Sequence, residues 1–78
     1  MRTKAELLEE FKAQKKAIRL NNYSELFALY DIIDLVEASD IDEPGLKRLA
    51  KAAETEAGKA NRLGSRRAWN RAAEIFSE

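Results

Sequence analysis

Between Leu26 and Val36 the chain carries seven aliphatic residues: Leu26, Ala28, Leu29, Ile32, Ile33, Leu35 and Val36. Stepped at roughly 100° per residue, they fill about half the circumference of a helix. That is wider than the stripe with which a surface helix usually meets one core, roughly 100°. A helix of this kind has to sit between two others. The sequence around it must therefore supply at least two further helices with apolar faces of their own.

It supplies them, with punctuation that agrees with the periodicity. A first helix is predicted over residues 4–20. Thr3 and Glu6 form a T-x-x-E capping box at its start, in which each residue satisfies an amide of the other. Leu7, Phe11 and Ile18 share one stripe, with Leu8 at its edge and Gln14 within it, while Lys12, Lys16 and Arg19 face away. Asn21-Asn22 makes the break, with Asn22 as N-cap and Glu25 at N3 of a second helix over residues 23–38. The stretch from Ser39 to Gly45 is a loop leading into a third helix. There Asp42 is the expected N-cap, and Glu43 and Pro44 suit a first turn, where negative charge meets the helix dipole and proline surrenders an amide that had no partner.

The third helix is predicted over residues 43–63, with a stripe of Leu46, Leu49, Ala50, Ala53, Ala57 and Ala60 that lets a neighbouring backbone come close. Gly64 reads as its C′ residue and Ser65 as the N-cap of a fourth helix, residues 66–77, whose apolar side carries Trp69, Ala72, Ala73 and Phe76. Continued as one straight helix, those residues would lie roughly 120° away from the alanine stripe, which argues for a break. The rival reading is one long kinked helix, because glycine within a helix costs only about 1 kcal/mol. The expectation is an all-α single domain spanning residues 1–78, a small three- to four-helix bundle.

Composition limits what such a bundle does. A chain of 78 residues buries only about 60% of the surface its unfolded form exposes, so a partner would add stability. Hydrophobic residues are 45% and charged residues 36%, which fits a folded domain rather than a disordered tail. Fourteen basic residues balance fourteen acidic ones, which argues against a globally basic nucleic-acid binder. There is no cysteine and no histidine, so thiol chemistry, zinc-thiolate sites and the usual general base are missing. Catalysis would fall to carboxylates, Lys, Ser, Thr or Tyr in a chain too short to enclose a substrate pocket, so no enzyme and no cofactor are expected. With no apolar leader segment and no run long enough to span a bilayer, the expected location is cytoplasmic, with no membrane partner.

Two surfaces remain as candidates for contact. On the second helix, Phe27 and Tyr30 project from the acidic side among Asp31 and Asp34, either as a recognition surface or under a neighbouring helix that wraps over them. The acidic stripe Asp31, Asp34 and Glu37 has too few converging ligands to be assigned a metal, and the loop from Asp40 lacks the calcium-loop pattern, with Pro44 and Lys51 where oxygen ligands belong. The C-terminal third is basic, with Lys59, Arg62, Arg66, Arg67 and Arg71 around Trp69; Arg62, Arg66, Arg67 and Arg71 are the second candidate face. Arginines beside a tryptophan suit phosphate contact and base stacking, but Trp69 also fits the core stripe.

Acid on the second helix and base elsewhere are complementary within the fold or across a two-fold axis, so an antiparallel homodimer is expected. The function expected is a small protein-binding adaptor or inhibitor. Phage and mobile-element proteins that block host machinery, anti-CRISPR proteins included, are the analogous class by size and helical class, with no motif match. The alternatives are a nucleic-acid-binding regulator using the basic third, and a structural subunit of a helical assembly.

Overall fold

Four helices make up the computed structural model, which describes residues 2–19 and 21–78: α1 (Lys4–Lys16), α2 (Tyr23–Glu37), α3 (Glu43–Lys59) and α4 (Leu63–Phe76). No strand occurs among the described residues. Spatial order differs from chain order. α1 packs on α2, α2 on α4, and α4 on α3. The half-circumference apolar arc of α2 is thus divided between α1 on one side and α4 on the other, burying Ala28, Leu29, Ile32, Ile33 and Val36 and half-burying Leu26 and Leu35. The Cα radius of gyration, 11.6 Å, matches the value of about 11.5 Å expected for one compact body of this length.

The core is the sum of the predicted stripes. Leu7 and Phe11 come from α1, Leu49, Ala53 and Ala57 from α3, and Trp69, Ala72, Ala73 and Phe76 from α4, joined there by Ala68 and Ile75. The rings of Phe11 and Phe76 meet at 5.5 Å and 55°, a tilted contact of the favoured kind that ties α1 to the end of α4. Among the described residues no polar or charged side chain is buried, so no hydrogen bond is needed to offset desolvation inside.

The N-terminal caps of α1 and α3 form as their residues dictate. The Glu6 amide donates to Thr3 Oγ1 at 3.1 Å, and the Thr3 amide donates to Glu6 Oε1 at 2.9 Å. Asp42 Oδ1 accepts from the Gly45 amide at 2.7 Å. Asn22 behaves otherwise: its side chain caps no amide and instead donates from Nδ2 to Glu25 Oε2 at 2.7 Å.

Two boundaries depart from expectation. α1 ends at Lys16 rather than continuing to residue 20, and Leu20 itself lies outside the described residues. The Ala17 amide is shared between the carbonyls of Ala13 and Gln14, and the Ile18 amide reaches Lys15, so the last turn tightens. Ile18 then meets the core from the connection instead of from the helix. The second departure is the break after α3. It falls at residues 60–62, where Ala60 is extended at ψ 129°, and Gly64 and Ser65 lie inside the first turn of α4. The helices are separate, as the phase mismatch requires, but Gly64 is not a left-handed C′ residue: no glycine among the described residues has a positive φ. A Cβ at Gly64 would sit 2.6 Å from Ser24 Oγ and 2.7 Å from Asn22 Oδ1. Its glycine is needed for the close approach of α4 to the start of α2.

Candidate protein-binding face

The outer side of α2 is built by the same periodicity that builds its inner side. Tyr23, Phe27 and Tyr30 stand at i, i+4 and i+7, within a wedge of roughly 60° opposite the buried arc. The rings form a ladder. Tyr23 and Phe27 are stacked at 6.3 Å and 24°, and Phe27 and Tyr30 follow at 6.5 Å and 35°. Neither α1 nor α4 wraps over them, and they remain 61%, 60% and 45% exposed. Tyr30, the least exposed, is partly covered by Lys15 of α1, whose Nζ lies 4.9 Å from the ring centroid in a cation–π contact.

Asp34 shares this wedge and Asp31 lies roughly 40° beyond Phe27; both are exposed, with no ion pair among the described residues. Glu37 continues the acidic stripe, but it is the backbone carbonyl of Glu37, not its carboxylate, that accepts from Lys4 Nζ at 3.1 Å. Among the described residues no group of three acidic side chains converges on a point where a cation could be held. Phe27, Tyr30, Asp31 and Asp34 therefore come together as one surface. Tyr23 belongs to it as well. Its position at the start of α2 hides this in the sequence, although its spacing of four from Phe27 places it on the same stripe.

The four arginines do not form one surface. Arg66 and Arg71 lie roughly 140° apart around α4. Arg71 turns toward α1 and α2, donating to Gln14 Oε1 at 3.2 Å and pairing with Glu25 Oε1 at 3.5 Å. Arg66 Nη2 donates to the Ala60 carbonyl at 3.0 Å and so satisfies an acceptor at the end of α3. Arg62 and Arg67 are exposed, and between them in sequence stands Leu63, 61% exposed at the first position of α4. Trp69 is 6% exposed and part of the core, so it is not free to stack on a base. A shallow groove between the start of α3 and the end of α4 is lined by Leu46, Ala50 and Phe76, with Glu43 and Lys47 paired at 3.6 Å and Glu78 paired with Arg2 at 3.0 Å.

No protein-family model, no curated protein and no solved structure matches the chain. No helix among the described residues is long and apolar enough to cross a membrane.

Proposed function

We propose that the protein is a non-catalytic binding module, a small adaptor or inhibitor, and that the outer face of α2 is where it meets another protein. The observation that carries this reading is the exposed ladder of Tyr23, Phe27 and Tyr30. Half of the chain's six aromatic side chains stand outside a core that is otherwise rich in alanine. Burying one such ring contributes about 1.5–3 kcal/mol, so leaving three in water forgoes stability that a small domain needs. A protein contact recovers it. Tyr and Phe concentrate at interface centres, and carboxylates at the edge such as Asp31 and Asp34 orient the partner and reject wrong ones. Blockers of host machinery carried by phages and mobile elements, anti-CRISPR proteins among them, are the class this size and surface suit, by analogy only.

The test is affinity capture from the native host with three baits: the natural chain, Phe27→Ser with Tyr30→Ser, and Arg62→Glu with Arg67→Glu. All four substituted side chains are exposed, so circular dichroism should report the same helicity for each. The aromatic variant is expected to lose a protein that the natural chain retains, whether a host protein or an untagged second copy of the chain supplied with the bait. Retention of every captured protein by the aromatic variant would overturn the proposal.

A further inference from the structure

We infer that the occupant of the α2 face is a second copy of this chain, docked through the basic start of its α4. The inference rests on the reading of α2 as a contact face and names its partner. Four large apolar side chains are exposed among the described residues: the three of the α2 ladder and Leu63. The two groups carry opposite surroundings. The ladder is bordered by Asp31 and Asp34, which have no ion pair among the described residues, and on the α1 side by Lys15 over Tyr30, whereas Leu63 stands among Arg62, Arg66 and Arg67 with no carboxylate beside it in the helix. By helical position Leu63 lies between Arg66 and Arg67 on the outward side of α4. An apolar centre with a basic border on one surface thus matches an apolar centre with an acidic border on the other.

The two surfaces cannot close on each other within one chain. Gly64 is seated against Asn22, Ser24 and Glu25, which fixes the start of α4 beside the first turn of α2. From there Leu63 faces solvent. Across a two-fold axis, however, each copy offers the basic patch to the other's α2 face. The same contact is made twice, and the assembly closes as a dimer instead of growing into a fibre. Zero net charge means that copies do not repel one another as whole molecules. A standard interface takes about 800 Å² from each partner, roughly 15% of the 5254 Å² this molecule exposes.

Sedimentation equilibrium on a dilution series reaching about 1 mM protein tests this directly. The natural chain is expected to approach twice its mass of 8.9 kDa at the top of the series and to fall toward 8.9 kDa on dilution. Asp31→Arg with Asp34→Arg makes both patches basic, and Arg62→Glu with Arg67→Glu makes both acidic. Each is expected to weaken self-association by about tenfold or more, and an equimolar mixture of the two to restore a dimer. The neutral pairs Asp31→Asn with Asp34→Asn and Arg62→Gln with Arg67→Gln give a smaller loss in the same direction, should either reversal disturb folding. A mass of 8.9 kDa at every concentration, a dimer indifferent to both reversals, or a mixture that stays monomeric would each overturn the inference. If the chain is monomeric while the Phe27→Ser and Tyr30→Ser variant still loses a foreign protein, only the choice of partner is wrong. If both experiments fail, α2 is not a contact face.

Discussion

At the scale of single residues, the three glycines are under three different demands. Gly45 is buried at N3 of α3, where a Cβ would run into the carbonyl oxygen of Asp40, a backbone atom that cannot rotate away. Gly64 lies against the ends of the Ser24 and Asn22 side chains, which can shift, but also 3.2 Å from the Glu25 backbone nitrogen, which cannot. Gly58 has nothing within 4 Å and sits exposed near the end of α3. Gly58→Ala should therefore gain up to about 1 kcal/mol from helix propensity. Gly45→Ala should lose stability despite the same gain, by about 1–3 kcal/mol of forced displacement. Thermal melts resolve the pair easily, since about 1 kcal/mol moves the midpoint by roughly 4–8 °C in a domain this small. A rise for Gly45→Ala would mean that the turn before α3 is softer than its geometry implies. None of this was readable from composition, because a glycine's reason lies in what comes near it.

At the scale of elements, α1 has the least tertiary support, packing chiefly on α2, so its capping box matters more than the cap of a helix held on two sides. The Thr3 backbone amide, and after it the Thr3 hydroxyl, hold the Glu6 carboxyl below its ordinary value, with Arg2 adding to the effect. A depressed folded-state pKa contributes stability that is complete above the ordinary glutamate value and is lost as pH falls through the lowered one. Glu6→Gln keeps a hydrogen-bond acceptor but removes the charge, so the natural chain should be the more stable at neutral pH and the difference should vanish in acid. Melting both proteins across an acid pH series checks this; a difference unchanged down to the lowest pH would assign it to something other than the carboxylate. The other element-level lesson concerns α3 and α4. The alanines Ala53 and Ala57 of α3 are buried against α4, which brings its own Ala68, Ala72 and Ala73, and the close approach compensates for small side chains.

At the scale of the whole molecule, the distribution of aromatics decides the reading. Phe11, Trp69 and Phe76 are inside, and Tyr23, Phe27 and Tyr30 are outside on one strip. A core of sixteen buried side chains, six of them alanine, leaves a monomer of this size with modest stability of its own. If a second copy covers the strip, folding and association are linked, and the melting temperature should rise with protein concentration. The effect should shrink in high salt, because the Asp and Arg borders of the contact are screened. Calorimetry on dilute and concentrated samples at low and high salt measures both trends. A midpoint that stays put across concentration would agree with a chain that folds and remains alone.

The helical class, the caps at Thr3 and Asp42, the sandwiching of α2 and the inward face of every helix were determined by the sequence by itself. The reason is that these depend on interactions within one or two turns: a side chain reaching an amide three residues on, or apolar residues recurring at the helical period. Phe27, Tyr30, Asp31 and Asp34 could be placed on one stripe for the same reason. Tertiary structure alone decided where α1 stops, why the chain breaks at residues 60–62 rather than at Gly64, that Arg66 and Arg71 answer to different neighbours, and that the stripe on α2 stays uncovered. Several of these turn on groups remote in the chain, such as Asn22 against Gly64 or Gln14 and Glu25 against Arg71. Periodicity says which residues share a face, whereas only the reach of the neighbouring helices says whether that face is left to water.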